Sequence, residues 1–188
     1  MSRNHYEIWD DDVEKVLITE EELDAIVTRI AAVIDEDYKD KNLLMLCILK
    51  GSLVFMGDLM KKLSIPCEID CMKVSSYGAG TSTSGKINIL LDLHRKDLSE
   101  KDILIIEDII DSGRTLSYLV NYLKLNGARS VKSVALLDKP ERREVDYEPD
   151  YIGQVIPDEF VIGYGLDFAE KYRTLPYVGV LKTELIPQ

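Results

Sequence analysis

Three carboxylates, Glu107, Asp108 and Asp111, stand within five positions of one another, and Ser112, Gly113, Arg114 and Thr115 follow without a gap. A Ser-Gly-x-Thr turn that opens a helix is an anion cradle. Its unpaired backbone N–H groups and the helix dipole favour phosphate, and the hydroxyls add donors. Carboxylates beside such a cradle would repel its ligand unless they hold Mg²⁺ or sugar hydroxyls. An acidic pair followed by a phosphate turn therefore points to a phosphorylated sugar handled with Mg²⁺.

The surrounding elements must hold these groups at a strand-to-helix junction. Ile103, Leu104, Ile105 and Ile106 form an apolar β run ahead of the pair. Leu116, Leu119, Val120 and Leu123 recur at helical spacing after the turn, and the helix should stop near Gly127. Upstream, residues 13–18 read as a strand. Thr19 and Glu22 form a capping box for a helix with Leu23, Ile26, Val27, Ile30, Val33 and Ile34 inward. Leu43–Leu49 is an apolar run suited to a strand buried on both faces. Residues 52–63 read as a helix with Leu53, Met56, Leu59, Met60 and Leu63 inward, and 67–74 as a strand. Residues 75–85 are rich in Ser, Thr and Gly and read as a mobile lid, with a strand returning at 86–91. Later strands are expected at 130–137, 160–162 and 177–181, with a charged, aperiodic stretch at 138–159. Strands alternating with helices predict an α/β fold, a mainly parallel sheet flanked by helices on both faces. Active sites in such sheets lie at the carboxyl ends of strands, where residues 50–51, 75–85, 107–115 and 138–139 fall.

Composition narrows the function. The 188 residues, 46% hydrophobic and 30% charged, suit one domain over 1–188 with a sizeable core. A net charge of −11 argues against a nucleic-acid-binding surface. Cys47, Cys67 and Cys71 are an odd count without paired spacing, so buried thiols and a reducing compartment are expected. The first residues lack the apolar stretch of a signal peptide, and the seven-residue run Leu43–Leu49 is too short to span a bilayer. A cytoplasmic location is the expectation. Gly78-x-Gly80 and Gly163-x-Gly165 lack the third glycine of a dinucleotide fingerprint, and no Walker A sequence is present.

The segment from Ile103 to Thr115 resembles the phosphoribosyl-diphosphate (PRPP) motif of type I phosphoribosyltransferases. Further matches are Leu49-Lys50-Gly51, Ser75-Ser76-Tyr77-Gly78, Leu136-Leu137-Asp138-Lys139, and the run from Ile156 to Asp167 ahead of Tyr172-Arg173. In this order, from about residue 18 to 180, they are similar to the hypoxanthine-guanine phosphoribosyltransferases of the short microbial kind. The resemblance implies the type I phosphoribosyltransferase fold with a small hood and a mobile lid loop. It also implies purine salvage: transfer of 5-phosphoribosyl from PRPP to a 6-oxopurine, releasing pyrophosphate.

What it implies for single residues follows the motifs. Glu107 and Asp108 would hold the ribose hydroxyls directly or through Mg²⁺, and Ser112, Gly113, Arg114 and Thr115 would grip the 5′-phosphate. The Arg114 side chain occupies a variable position, so its backbone amide is the expected contributor. Asp111, alternatively a helix cap, would take the ring-nitrogen proton of the purine. Lys50-Gly51 would carry a non-proline cis peptide with its amide toward pyrophosphate, and Arg173 would bind the same group. Lys139 would donate to a 6-oxo group, since lysine has three donors and no acceptor. Phe160 would stack on the base and Val161 would lend it backbone groups. Asp167 would be a second Mg²⁺ ligand near the base. Ser76 and Tyr77 would lead the lid that excludes water. His94, Arg95 and Lys96 read as a solvated loop. A homodimer or homotetramer is expected from the family. Two alternatives stay open: a xanthine-preferring enzyme, and a same-fold RNA-binding regulator of the pyrimidine-operon type, against which the −11 charge and Lys139 argue.

Overall fold

The computed structural model describes residues 9–76, 87–95 and 97–186, with the side chains of Asp10 and Ser76 outside the description. Nine strands and three α-helices are formed among them: β1 (Val13–Ile18), α1 (Glu20–Asp37), β2 (Leu43–Leu49), α2 (Leu53–Lys62), β3 (Glu68–Ser76), β4 (Ile87–Leu91), β5 (Asp102–Ile110), α3 (Arg114–Leu125), β6 (Ser130–Asp138), β7 (Tyr151–Val155), β8 (Val161–Ile162) and β9 (Val178–Leu181). The expected lid begins at the end of β3, and its greater part, Tyr77 included, lies outside the described residues.

Six strands form one sheet in the order β4-β3-β2-β5-β6-β7. All neighbours run parallel except β4, which returns antiparallel to β3. The chain builds outward from β2 to β4 on one side, then crosses to β5 and builds through β7 on the other. The order therefore switches between β2 and β5, and the crevice beyond their carboxyl ends is where such sheets bind ligands. A separate antiparallel sheet, β1-β9-β8, stands in the place expected for a hood.

Local sequence explains the helices. Thr19 Oγ1 accepts from the Glu22 amide at 3.2 Å and Glu22 Oε2 accepts from the Thr19 amide at 2.8 Å, a complete capping box. α1 and α2 pack on one face of the large sheet, against Met45, Cys47, Leu104, Ile106, Val134 and Leu136. α3 covers the other face through Leu116, Leu119, Val120 and Leu123, against Leu44, Leu46, Ile103 and Ile105. Alternate residues of β2 and β5 thus feed opposite layers, which is why both strands read as continuous apolar runs.

Three expectations need correction. Ala31 takes the inner position in α1, and Val33 stays exposed at the edge of the stripe. In α2 the buried face is Phe55, Met56 and Leu59, while Leu53 (56% exposed) and Met60 share the adjoining solvent face, seven residues apart. Residues 138–159 contain a strand, β7, at the sheet edge, where Gly153 is needed because a Cβ would overlap the Leu136 carbonyl oxygen. In the loop after β4, His94 is exposed with its amide donating to Asp70 Oδ2 at 3.2 Å, Arg95 pairs with Glu68 at the surface, and Lys96 lies outside the described residues. Cys47, Cys67 and Cys71 are free thiols, and burial pushes Cys47 up to about 11. No helix among the described residues is long and apolar enough to cross a membrane.

Candidate active site

β5 delivers the acidic pair. Its inner residues are fully buried, and the strand emerges at Glu107 and Asp108, both partly buried. Glu107 Oε2 is enclosed and has no hydrogen-bond partner. Burial, then the Asp108 charge beside it, raises the Glu107 carboxyl well above its ordinary range, and burial raises Asp108 as well.

The turn after β5 is built for close approach. Gly113 has φ +78°, a left-handed conformation that glycine adopts freely, and a Cβ there would lie 2.9 Å from Arg143 Cδ. Gly113 caps α3 with no side chain of its own, and the Arg114 amide makes only a long bond, 3.4 Å, to Ser112 Oγ. Glu107, Asp108, Asp111, Ser112, Gly113 and Thr115 line a cavity of about 280 Å³ here. The Arg114 side chain turns away, Nε donating to Glu144 Oε2 at 2.7 Å, consistent with a contribution through its amide.

A second cavity of about 420 Å³ adjoins the first. Asp111, Lys139, Arg142, Asp158, Phe160 and Asp167 are among its walls. Lys139, at the end of β6, is buried and points inward: Nζ donates to the Glu159 carbonyl at 2.7 Å and lies 3.9 Å from both Asp111 Oδ1 and Asp158 Oδ1. Phe160 is 39% exposed and packs perpendicular to Phe168, at 5.5 Å between ring centroids. Val161 is buried in β8 beside it. Among the described residues, Asp111 is the one expected site residue that lines both cavities, and its Oδ1 is buried without a hydrogen-bond partner.

The third part lies at the end of β2. The cis peptide bond is Leu49–Lys50, one bond earlier than Lys50-Gly51. Gly51 packs so tightly that a Cβ would overlap Asp108 Oδ2, so glycine is what lets β2 end against the acidic pair. Lys50 Nζ pairs with Glu170 at 2.9 Å. Arg173 donates through Nη1 to the Gly165 carbonyl at 2.7 Å and pairs through Nη2 with Asp167 at 2.8 Å. Asp167 also accepts from the Glu170 amide at 2.9 Å, so both its oxygens have protein partners.

Several residues here carry only a weak signal in the sequence. Arg143 donates to the Asp111 carbonyl at 2.5 Å and pairs with buried Asp138 at 2.6 Å, tying the phosphate turn to the end of β6. The Ser112 carbonyl accepts from the Glu144 and Val145 amides, which clamps the same turn. Arg142 pairs with Asp158 at 3.2 Å and lies 4.0 Å from Asp111. The Arg142-Arg143 doublet in an otherwise acidic stretch is the feature that could have drawn attention. A larger cavity of about 610 Å³ lies between α1, α2 and residues 173–176, but none of the β5 carboxylates lines it.

Glu107, Asp108 and Asp167 supply hard oxygen donors of the type Mg²⁺ takes, and the unpartnered Glu107 oxygen fits such an ion. Among the described residues, no three His, Cys, Asp or Glu side chains converge on one metal position.

Residues 17–169 match the phosphoribosyl transferase domain family. The chain is 52% identical over 171 residues to the hypoxanthine-guanine phosphoribosyltransferase of Bacillus subtilis, covering 91% of this chain and 94% of that protein. It is 51% identical over 174 residues to the bifunctional protein TilS/HprT of Listeria monocytogenes, covering 93% of this chain but only 27% of that longer protein. In structure it superposes on a hypoxanthine phosphoribosyltransferase of Staphylococcus aureus with a TM-score of 0.93 and 44% identity, covering 98% of this chain and 100% of that one.

Proposed function

The chain belongs to the phosphoribosyl transferase family, in its hypoxanthine-guanine branch, and on that premise we propose that it transfers 5-phosphoribosyl from PRPP to hypoxanthine or guanine, giving the purine nucleoside 5′-monophosphate and pyrophosphate. The observation that carries this reading is Asp111. It stands between a phosphate-sized cradle at a helix start and a cavity with an inward lysine and a phenylalanine, with one carboxylate oxygen buried, without a hydrogen bond, and 3.9 Å from the Lys139 ammonium.

Each residue then has a task. Ser112, Gly113, Thr115 and the Arg114 amide hold the 5′-phosphate at the start of α3. Glu107 and Asp108 would hold the ribose hydroxyls and, with Asp167, would hold Mg²⁺, which would supply positive charge against the pyrophosphate. The base lies on Phe160, between Val161 and Lys139, with its 6-oxo group accepting from the ammonium. Asp111 accepts the ring-nitrogen proton as the nitrogen bonds to the anomeric carbon and the carbon–pyrophosphate bond breaks. Lys50-Gly51 and Arg173 receive the departing pyrophosphate. Closure by Ser76, Tyr77 and the rest of the 75–85 segment would exclude water, which otherwise competes for the same carbon. Action as a homodimer or homotetramer in the cytoplasm completes the proposal.

The test is direct. Purified protein with PRPP, Mg²⁺ and hypoxanthine should form the nucleotide and pyrophosphate in equal amounts. No nucleotide, together with salt-sensitive RNA binding, would refute the proposal and favour the regulator of the same fold.

A further inference from the structure

Glu170 has no task in the reaction as described, yet one of its oxygens meets both cations assigned to pyrophosphate. Oε2 lies 2.9 Å from Lys50 Nζ and 3.5 Å from Arg173 Nη2. These cations come from distant parts of the chain, the end of β2 and the segment before β9, and this carboxylate bridges them.

The local backbone holds it there. Ala169, Glu170 and Tyr172 have φ of 51°, 64° and 73°, in the left-handed region that residues with a Cβ seldom occupy. Phe168 and Lys171 pair across this turn, and the Glu170 amide donates to Asp167 Oδ2. Conformations of this kind persist where their surroundings enforce them, and they concentrate at ligand clamps. The side chain itself is exchangeable. Glu170 is 66% exposed and Lys50 49%, so water screens the pair. Pyrophosphate, with several negative charges and more oxygens, displaces this carboxylate from the same two cations, while Asp167 stays on Arg173 Nη2 at 2.8 Å.

Building on the reaction proposed above, we infer that Glu170 is an internal stand-in for pyrophosphate that must leave Lys50 and Arg173 when PRPP binds and that returns to them as pyrophosphate departs. The carboxylate weakens PRPP and pyrophosphate binding alike, because both engage the cations it covers. It also limits how long the product stays.

The test compares Glu170→Gln with wild type. The variant keeps the shape of the side chain and removes the charge that competes. The inhibition constant for pyrophosphate and the KM for PRPP should both fall by about 2–10-fold. Release of pyrophosphate, followed with a coupled sensor after a single turnover, should slow by a similar factor. Glu184→Gln removes an equal charge from an exposed site and should change neither value. Glu170→Asp, too short to reach both cations, should fall between the two. Unchanged or weaker pyrophosphate inhibition in Glu170→Gln would overturn the inference, as would equal tightening in Glu184→Gln. Absence of pyrophosphate inhibition in a wild-type protein that forms nucleotide would overturn it too. Failure of the wild type to form any nucleotide would instead remove the reaction on which it rests.

Discussion

Replacing Lys139 with Gln should alter which purines are used more than it alters the fold. The ammonium is buried, spends one donor on the Glu159 carbonyl at 2.7 Å, and stands 3.9 Å from Asp111 and Asp158. Two N–H donors remain for the cavity, and no acceptor. A 6-oxo group can take one of them, whereas a 6-amino group would meet another donor. The lost interaction is a charge-assisted hydrogen bond from a buried ammonium, worth about 1.5–3 kcal/mol. At about 1.4 kcal/mol per decade, kcat/KM for hypoxanthine and guanine should drop about 10–10²-fold. Glutamine is shorter and neutral, and its amide offers both a donor and an acceptor, so adenine should lose less or gain slightly. The assay is kcat/KM for each base at saturating PRPP and Mg²⁺. The readout is the ratio of hypoxanthine to adenine use, because general damage to the cavity lowers both together. A ratio equal to that of the wild type would show that Lys139 does not read the base.

Other consequences follow from the same geometry. Asp111→Asn removes the proton acceptor while keeping its shape, so kcat should fall about 10–10⁴-fold with KM for PRPP little changed; wild-type kcat would take Asp111 out of the chemistry. Excess chelator should abolish turnover, and Mg²⁺ should restore it, since Glu107 and Asp108 face a polyanion; full activity without divalent cations would contradict this. Asp102 is buried and held below the ordinary carboxyl range by its bond to Arg129, then by Ser130, against the cost of burial. Its stabilisation is complete above the unfolded value near ~3.9 and is lost as pH falls through the lower folded value. Asp102→Asn should therefore cost about 1–3 kcal/mol at neutral pH, with the gap to wild type narrowing in urea melts below about pH 4; a gap constant to strongly acid pH would refute the ionic account.

The parts legible in the sequence are those whose signal is local. The Thr19–Glu22 box, the apolar runs of β2 and β5, and the acidic pair leading into Ser112-Gly113 all declare themselves within a few residues. Lys139 could be placed because it ends a buried strand ahead of Pro140. What escaped notice depends on docking between segments. Arg142 and Arg143 read as solvated charges in a polar stretch, and they gain their partners only when residues 138–158 fold back over the turn after β5. Glu170 reaches Lys50 across 120 positions. β7, broken by Gly153 and close to Pro149 and Pro157, is a strand because β6 offers it an edge. Leu53 and Met60 misled because apolar residues on adjoining faces of a short helix cannot be ranked without knowing where the sheet lies.

The central claim is that the cavity beside Asp111 takes a 6-oxopurine for ribosyl transfer. The most direct measurement is nucleotide formation by the same protein from PRPP and each of hypoxanthine, guanine, xanthine and adenine, with Mg²⁺ present. The account predicts that hypoxanthine and guanine are converted and that adenine is used at least ~10²-fold less efficiently, since a buried ammonium facing an amino group loses its bond. Adenine turnover comparable with that of hypoxanthine, or no turnover of either 6-oxopurine, would contradict it.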